Sequence, residues 1–356
     1  MFDWIPLAFY TPLYHYMLLI IILIILDDAL RFKLPSGNKF QGLGVVILVF
    51  VLIYMGFRPI SGRYFGDTST YAQYFEHYSY GAEITSTRDL LFHNFMKACS
   101  YVMNVHVFFF LCASLYMVPL YVVCKKWFKE LWFFGFIFLI STFSFWAYGT
   151  NGIRNGIAGS LFLLGISRDK RIWQIIFLIL AVNFHKTMLL PIGGFILANV
   201  YNQPKKLIAF WLLCIPLSLV GGSVFEVFFG SLGFDDRLSY LTSGNINNFS
   251  STGFRWDFLM YSGSAIYAGW YYIVKKGYRD QVYFWLFNTY IVANAFWVLV
   301  IRANFSNRFA YLSWFMIGLV IVYPLLKENL IVNQYKKVGI ILLLQFAFTF
   351  LMNVIL

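Results

Sequence analysis

Residues 105–124 decide the class of fold, because they read VHVFFFLCASLYMVPLYVVC without one Asp, Glu, Lys or Arg. As an α-helix this run is about 30 Å long, which matches the thickness of a bilayer's hydrocarbon core. Similar runs recur along the 356 residues, of which 60% are hydrophobic, 22% aromatic and 12% charged. Because a soluble domain carries about 25% charged residues, the composition excludes a soluble enzyme, a disordered protein and a nucleic-acid binder.

The chain is predicted to be an all-α integral membrane protein, a single polytopic domain over residues 1–356 with about twelve transmembrane helices. The first apolar run is followed by Asp27 and Asp28 rather than by small residues, so we expect it to stay as an anchor. The predicted spans are approximately 13–30, 42–57, 105–124, 131–148, 153–167, 172–187, 188–202, 207–222, 256–274, 282–301, 309–326 and 338–356.

The distribution of basic residues predicts the orientation. Of the 27 Lys and Arg residues, 17 lie in linkers on one side of the predicted spans, and the positive-inside rule assigns that side to the cytoplasm. Both termini then lie outside. The outer face receives two longer segments, residues 58–104 and 223–255, and the stretch 87–105 is a candidate interfacial helix.

The basic residues on the two sides differ in kind, since lysine dominates inside and arginine outside. Arginine grips phosphate oxygens through a planar two-pronged fork. An outer surface rich in arginine therefore favours an anionic ligand, and a lipid diphosphate is the natural candidate; headgroup snorkelling is the structural alternative. The outer arginines are Arg58, Arg63, Arg88, Arg154, Arg237, Arg255, Arg302 and Arg308.

Two residues at the outer ends of predicted spans, Arg154 and His185, are candidates for anion binding and proton transfer. Arg154 lies at the start of a predicted span, where free backbone N–H groups also favour an anion, although Gly152 and Gly156 form a G-x-x-x-G that equally indicates close helix packing. His185 lies at the outer end of another span and has a side chain that accepts protons near neutral pH. Its structural alternative is a hydrogen bond between helices.

Arg255 and Arg308 stand at the entries of two later spans, and Arg302 lies one short loop before Arg308. Ionisable groups beside transmembrane helices are functional candidates by default. We expect these arginines to bind a diphosphate, with Asp257 contributing to sugar binding. The alternative is a structural pair between Arg255 and Asp257.

The first outer loop carries Arg63 followed by Asp67 and an aromatic series that includes Tyr71 and Tyr74. Aromatic faces stack on sugar C–H groups while carboxylates bind hydroxyls, so this loop is a candidate sugar-binding surface with Arg63 as a further diphosphate ligand. Asp67 equally suits a turn or a helix N-cap. The chain has no P-loop, G-x-G-x-x-G, H-E-x-x-H, G-x-S-x-G or D-x-D motif, and no metal site or cofactor is predicted.

Five short stretches, in this order, resemble the EpsG-like branch of Wzy-type bacterial polysaccharide polymerases. They are RYFGDTSTY from Arg63, NGIRNGIA from Asn151, FHKTMLLP from Phe184, GFRWDF from Gly253 and NRFAY from Asn307. Asn155 is a departure, because glutamine follows the arginine in many relatives.

The resemblance implies a multi-span enzyme of the bacterial inner membrane with a GT-C-like polymerase or ligase architecture. It implies that repeat units of O-antigen or capsule, carried on undecaprenyl diphosphate, are joined on the periplasmic face. The expected reaction is metal-independent and inverting: Arg154, Arg255 and Arg308 stabilise the leaving diphosphate, while His185 or Asp67 takes the proton of the attacking hydroxyl. The expected partners are the lipid-linked donor and acceptor, membrane lipids and a chain-length regulator.

Two other functions stay open. An O-antigen ligase uses the same donor but usually has a larger outer loop than residues 223–255. A lipid-linked oligosaccharide flippase requires ionisable groups at mid-membrane depth, whereas most of those in this chain lie at the outer ends of the predicted spans.

Overall fold

The computed structural model describes residues 2–33, 37–86, 89–231, 253–303 and 306–356. Within these ranges the ordered elements are helices, with no strand. Contacts divide the chain into two compact units, residues 1–185 with 325–356, and residues 186–324. Each unit is described by itself.

The first unit combines ten helices from the N-terminal part with the C-terminal helix. They are α1 (Leu7–Arg31), α2 (Gly37–Gly56), α3 (Gly62–Phe65), α4 (Thr68–Ser79), α5 (Leu90–Ser100), α6 (Val105–Phe128), α7 (Trp132–Ile140), α8 (Phe143–Thr150), α9 (Ile153–Ile166), α10 (Arg171–Phe184) and α17 (Gln334–Phe350). The second unit contains α11 (Leu189–Val200), α12 (Pro204–Ser231), α13 (Trp256–Trp270), α14 (Gln281–Leu299), α15 (Asn307–Trp314) and most of α16 (Ile317–Lys327).

Six helical segments among the described residues are long and apolar enough to cross a bilayer. They are Leu7–Arg31, Val105–Ile140, Pro204–Phe229, Gln281–Leu299, Asn307–Lys327 and Gln334–Ile355. Four apolar helices are shorter, namely Phe40–Gly56, Ile153–Ile166, Arg171–Phe184 and Lys186–Val200. The chain is thus a multi-pass membrane protein that is helical over the described ranges, and the figure of about twelve spans stays a prediction.

The stretch predicted as one span at 131–148 is two short helices. The helical segment Val105–Ile140 is not one straight helix, because the chain turns back at Lys129, where φ is 49°. Helix α7 packs so closely on the end of α6 that a Cβ at Gly135 would lie 2.4 Å from Phe128. Between α7 and α8 the helix breaks at 141–142. The C-terminal helix supplies donors for the backbone carbonyls beside this break. Gln345 donates to the Phe138 carbonyl and Thr349 to the Ser141 carbonyl, each at 2.9 Å. Backbone carbonyls at a helix break inside a membrane need such hydrogen-bond donors from the protein, because no water is present there.

The predicted outer segments divide differently. The described residues of the first segment, 58–86 and 89–104, contain α3, α4 and α5. Helix α12 continues past the predicted end at 222 to Ser231, with a kink at Gly221 (φ −122°, ψ 22°), so the predicted segment 223–255 begins inside a helix. Residues 232–252, including Arg237, lie outside the described residues, as does Arg88.

A buried polar network joins the helices of the second unit. The Asn294 side chain accepts a 2.7 Å hydrogen bond from the Trp211 indole and donates to the hydroxyls of Ser262 and Ser313 at 3.1 and 2.9 Å. The Trp314 indole donates to Ser262 at 2.6 Å. These bonds connect α12, α13, α14 and α15, and hydrogen bonds of this kind are the usual link between apolar helices in a membrane.

Candidate active site

The candidate site of the first unit is built around Asp89, the residue that precedes α5. Its carboxylate is 5% exposed; one oxygen lies 2.7 Å from Nη1 of Arg154 and the other 3.6 Å from Nδ1 of His185. The backbone of Asp89 is left-handed, with φ 48° and ψ 41°. A side chain in this region costs on the order of 1–2 kcal/mol, and such strain persists where the surroundings hold it. One buried carboxylate therefore links the two residues that the sequence singled out.

Arg154 is the second residue of α9, which begins after Gly152. Its Nε donates a 3.1 Å hydrogen bond to the Tyr71 hydroxyl. Helix α9 packs closely against α8 because residue 156 is glycine. A Cβ at this position would lie 2.6 Å from the Tyr148 carbonyl oxygen. The packing role of the G-x-x-x-G and the position of Arg154 beside a carboxylate are thus compatible. The anion-binding role stays a prediction.

His185 directly follows the last residue of α10, and its backbone N–H donates to the Ala181 carbonyl at 3.0 Å. The imidazole is buried. Helix α10 packs on α9 and α5, the two helices that begin at or beside Arg154 and Asp89. The ends of α5, α9 and α10 thus bring the side chains of Asp89, Arg154 and His185 together.

A fully buried cation fixes the turn that precedes Arg154. Arg58 is 0% exposed and donates to the carbonyls of Met55 and Thr150 at 2.8 and 2.9 Å, and to the Thr68 hydroxyl at 3.2 Å. Thr68 itself donates to the same Thr150 carbonyl at 2.8 Å. Arg58 and Thr68 therefore tie the ends of α2 and α8 to the start of α4.

A second connection joins the Asp67 loop to the same turn. The backbone N–H of Asp67 donates to the Asn151 side-chain oxygen at 2.9 Å. The preceding residue, Gly66, has φ 52°, and a Cβ there would lie 2.3 Å from that oxygen. Glycine is thus required at 66 both by its backbone conformation and by this close approach.

His93 and Tyr78 form a buried polar pair beside this cluster. The Tyr78 hydroxyl lies 2.9 Å from His93 Nδ1, and the Tyr74 ring meets the imidazole edge to face. Burial lowers the pKa of His93 below its usual 6.5, and the positive charge of Arg154 lowers the pKa further. The imidazole is therefore neutral at physiological pH.

The other predicted residues of the first unit occupy distinct environments. Tyr71 is 4% exposed and contacts Arg154, whereas Tyr74 is partly exposed. Asp67 occupies the position before α4, but its side chain makes no capping hydrogen bond. The Arg63 side chain is exposed, with its guanidinium 5.5 Å from the centre of the Tyr64 ring. Their roles in sugar and diphosphate binding stay predictions.

The predicted residues of the second unit include a tight ion pair. Arg255 donates two hydrogen bonds to Asp257, at 2.9 and 2.5 Å, and its guanidinium lies 3.6 Å from the centre of the Phe258 ring. The structural pairing considered from the sequence is therefore present. The binding of diphosphate by Arg255 and of sugar by Asp257 stays a prediction.

Arg302 and Arg308 flank the start of α15. The exposed Arg302 packs along Gly222, where a Cβ would lie 3.5 Å from its Cδ, and its guanidinium is 6.0 Å from the Phe254 ring centre. Arg308 is partly buried in the first turn of α15. The predicted clamp of Arg154, Arg255 and Arg308 draws on both units and stays a prediction.

Sequence reasoning missed Asp89 and His93. An acidic residue just before the amphipathic run Leu90–Ser100 was the available signal for Asp89, since aspartate is favoured at helix starts. No motif marks its approach to Arg154 and His185, which are distant in sequence. Among the described residues, no group of three or more His, Cys, Asp or Glu side chains is arranged to hold a metal ion.

A multi-pass helical membrane protein with a buried carboxylate between an arginine and a histidine is the class that the fold and the site define. The EpsG family model matches residues 43–356, and the chain belongs to the EpsG family. The resemblance found from the sequence motifs is thereby confirmed. No curated protein and no solved structure matches the chain. Family membership indicates a polysaccharide polymerase-like function, that of a glycosyltransferase.

Proposed function

We propose that this EpsG-family protein polymerises oligosaccharide repeat units carried on undecaprenyl diphosphate, on the periplasmic face of the bacterial inner membrane. The donor glycan passes from its lipid diphosphate to a sugar hydroxyl of the next lipid-linked unit. The observation that carries the proposal is the Asp89 carboxylate, which joins a proton acceptor, His185, to a fixed cation, Arg154.

His185 is the proposed general base. As its imidazole takes the proton of the acceptor hydroxyl, that oxygen bonds to the anomeric carbon of the donor, and the bond from this carbon to the diphosphate oxygen breaks. The nearby Asp89 carboxylate stabilises the imidazolium that forms. General-base catalysis of this kind contributes about 10²- to 10⁴-fold, and direct displacement inverts the anomeric centre.

Arg154 is the proposed stabiliser of the leaving diphosphate. Its Nε and Nη1 contact Tyr71 and Asp89, which fixes the plane of the guanidinium, and its Nη2 carries two further N–H groups. A cation held in place before the reaction stabilises developing negative charge without reorganisation. The leaving group then needs no metal ion, in agreement with a sequence that lacks a D-x-D pair.

The test uses purified protein and a synthetic undecaprenyl-diphosphate repeat unit of known anomeric configuration. We expect polymer with the inverted linkage, and one equivalent of undecaprenyl diphosphate released per bond formed. Unmodified substrate crossing proteoliposomes without bond formation would contradict the proposal in favour of transport. Transfer that occurs only to a lipid A core acceptor would contradict it in favour of a ligase.

A further inference from the structure

His93 lies one helical turn beyond Asp89 on α5, so the two side chains are on the same face of the helix. The positive charge of Arg154, which pairs with Asp89, acts on the His93 imidazole and lowers its pKa. The imidazole therefore lies next to the candidate active site. It is a buried titratable group that the proposed mechanism does not use.

Tyr74 and Tyr78 of α4 fix this imidazole from two sides. The Tyr78 hydroxyl lies 2.9 Å from Nδ1, and the Tyr74 ring stands edge to face with the imidazole, with 5.5 Å between the ring centroids. The other ring nitrogen, Nε2, makes no hydrogen bond within the described part of the chain, and it is not fully shielded from solvent. A ligand can therefore form a hydrogen bond with Nε2 while Tyr78 holds the ring in place.

Tyr74 supplies an exposed aromatic surface next to the imidazole. Its side chain is 38% exposed, whereas Tyr78 is 2% exposed, and the two rings are nearly parallel, at 17°. An aromatic face packs against the C–H groups of a pyranose ring, and a neutral imidazole exchanges a hydrogen bond with a hydroxyl. The two groups together suit a neutral sugar. A phosphate would instead favour a charged imidazole, which burial and Arg154 oppose.

We infer that Tyr74 and His93 form a subsite for a neutral pyranose of the acceptor glycan, with the sugar ring on Tyr74 and a hydroxyl at Nε2 of His93. Tyr78 positions the imidazole for this contact. The choice of the acceptor rests on the proposed function, because Asp89, on the same face of α5, lies beside His185, the proposed base for the acceptor hydroxyl. His93 is then a specificity-determining residue for the acceptor.

The first test measures binding without turnover. The probe is the methyl glycoside of the organism's own repeat-unit oligosaccharide, which has no diphosphate and so cannot act as donor. Saturation-transfer-difference NMR with the full-length protein in detergent micelles is expected to show contacts to pyranose ring protons. His93→Ala and Tyr74→Ala should each weaken binding about tenfold, the contribution of one hydrogen bond or one aromatic contact. His77→Ala is the matched control, because His77 is an exposed histidine of α4.

Two conservative variants separate sugar binding from a structural role. The amide of His93→Asn can keep the hydrogen bond to Tyr78 at the Nδ1 position but has no group at the Nε2 position. The amide of His93→Gln reaches the Nε2 position instead. If Nε2 binds the sugar, His93→Gln should keep more of the binding than His93→Asn does. The opposite order would show that the bond to Tyr78 is what matters, and it would overturn the inference.

Kinetics with a separate donor and acceptor complete the test. The donor is an undecaprenyl-diphosphate repeat unit whose acceptor hydroxyl is methylated, so that it is transferred once to the methyl glycoside. We expect His93→Asn to raise the KM for the acceptor about tenfold and to leave the KM for the donor within about twofold.

An unchanged KM for the acceptor, in a variant that still transfers glycan, would overturn the inference and leave the proposed function standing. Binding of the glycoside that depends on His93, in a protein that transfers no glycan, would instead refute the proposed function and leave the sugar subsite standing.

Discussion

At the scale of single residues, the proposed mechanism depends on the carboxylate of Asp89. Asp89→Asn keeps the shape but removes the charge beside His185 and Arg154, so we expect kcat to fall on the order of 10²-fold or more. Glycan formation at saturating donor measures this fall. Asp169→Asn is the matched control, since that carboxylate is exposed and pairs with Lys126 at 2.6 Å. Equal activity of the two variants would remove Asp89 from the mechanism.

Arg154→Lys tests geometry rather than charge. Lysine keeps the positive charge but lacks the planar fork whose Nε and Nη1 contact Tyr71 and Asp89 and whose Nη2 is proposed to face the phosphate. We expect kcat to fall on the order of 10²-fold, measured by the same assay. Arg31→Lys, at an exposed pair with Asp27, should have no effect. Glycan ladders of normal length from Arg154→Lys would refute the diphosphate role.

His93 predicts a pH dependence of stability. Its pKa is lowered in the folded protein by burial and by Arg154, so the unfolded chain binds more protons between this lowered pKa and 6.5. The free energy of unfolding is therefore not reduced by His93 above pH 6.5. It decreases as the pH falls from 6.5 towards the lowered pKa of His93 in the folded protein. Thermal unfolding in detergent from pH 7.5 to 4.5 should show this loss, and His93→Asn should reduce it. An unchanged profile in the variant would exclude His93 as the cause.

At the scale of helices, the connection of Arg58 with Thr68 and Thr150 holds the start of α9. Arg58→Ala removes the side-chain donor of the Met55 carbonyl and one of the two donors of the Thr150 carbonyl, and it opens a cavity, at a cost of about 3 kcal/mol or more. We expect a clearly lower melting temperature in detergent, with Thr68→Val intermediate. Arg171→Ala, an exposed position, should change stability by less than about 0.5 kcal/mol. An unaltered melting temperature for Arg58→Ala would contradict this role.

The polar network of the second unit makes a separate prediction. Asn294→Leu leaves the Trp211 indole without its acceptor and removes two bonds to serine hydroxyls. Each interhelical hydrogen bond in a membrane is worth about 0.6–1.7 kcal/mol, so we expect a loss of roughly 1–3 kcal/mol in unfolding measurements. Asn199→Leu is the control, because within the described part of the chain that side chain bonds to the Phe195 carbonyl of its own helix and to no other helix. Equal stability of both variants would show that the network is dispensable.

At the scale of the whole molecule, the sequence predicted the class of fold and two of the three side chains that meet in the candidate site. Long uncharged runs require membrane helices, and the placement of Arg154 and His185 beside helix ends indicated chemistry there. The break at 141–142 was not predictable, since its carbonyls are satisfied by Gln345 and Thr349, about 200 residues further along. Asp89 was not predicted for the same reason. Its carboxylate lies beside Arg154 and His185 only in the folded protein, because these residues are distant in sequence.

Metal-independent polymerisation by His185 and Arg154 is tested by a gel of the glycan products that purified protein forms from an undecaprenyl-diphosphate repeat unit in the presence of EDTA. His185→Ala, Arg154→Ala and Asp169→Asn are assayed alongside. We expect a ladder that survives chelation and persists in Asp169→Asn but is lost in the His185 and Arg154 variants. A ladder that needs a metal ion, or one that His185→Ala and Arg154→Ala still produce at the normal rate, would contradict the proposed mechanism.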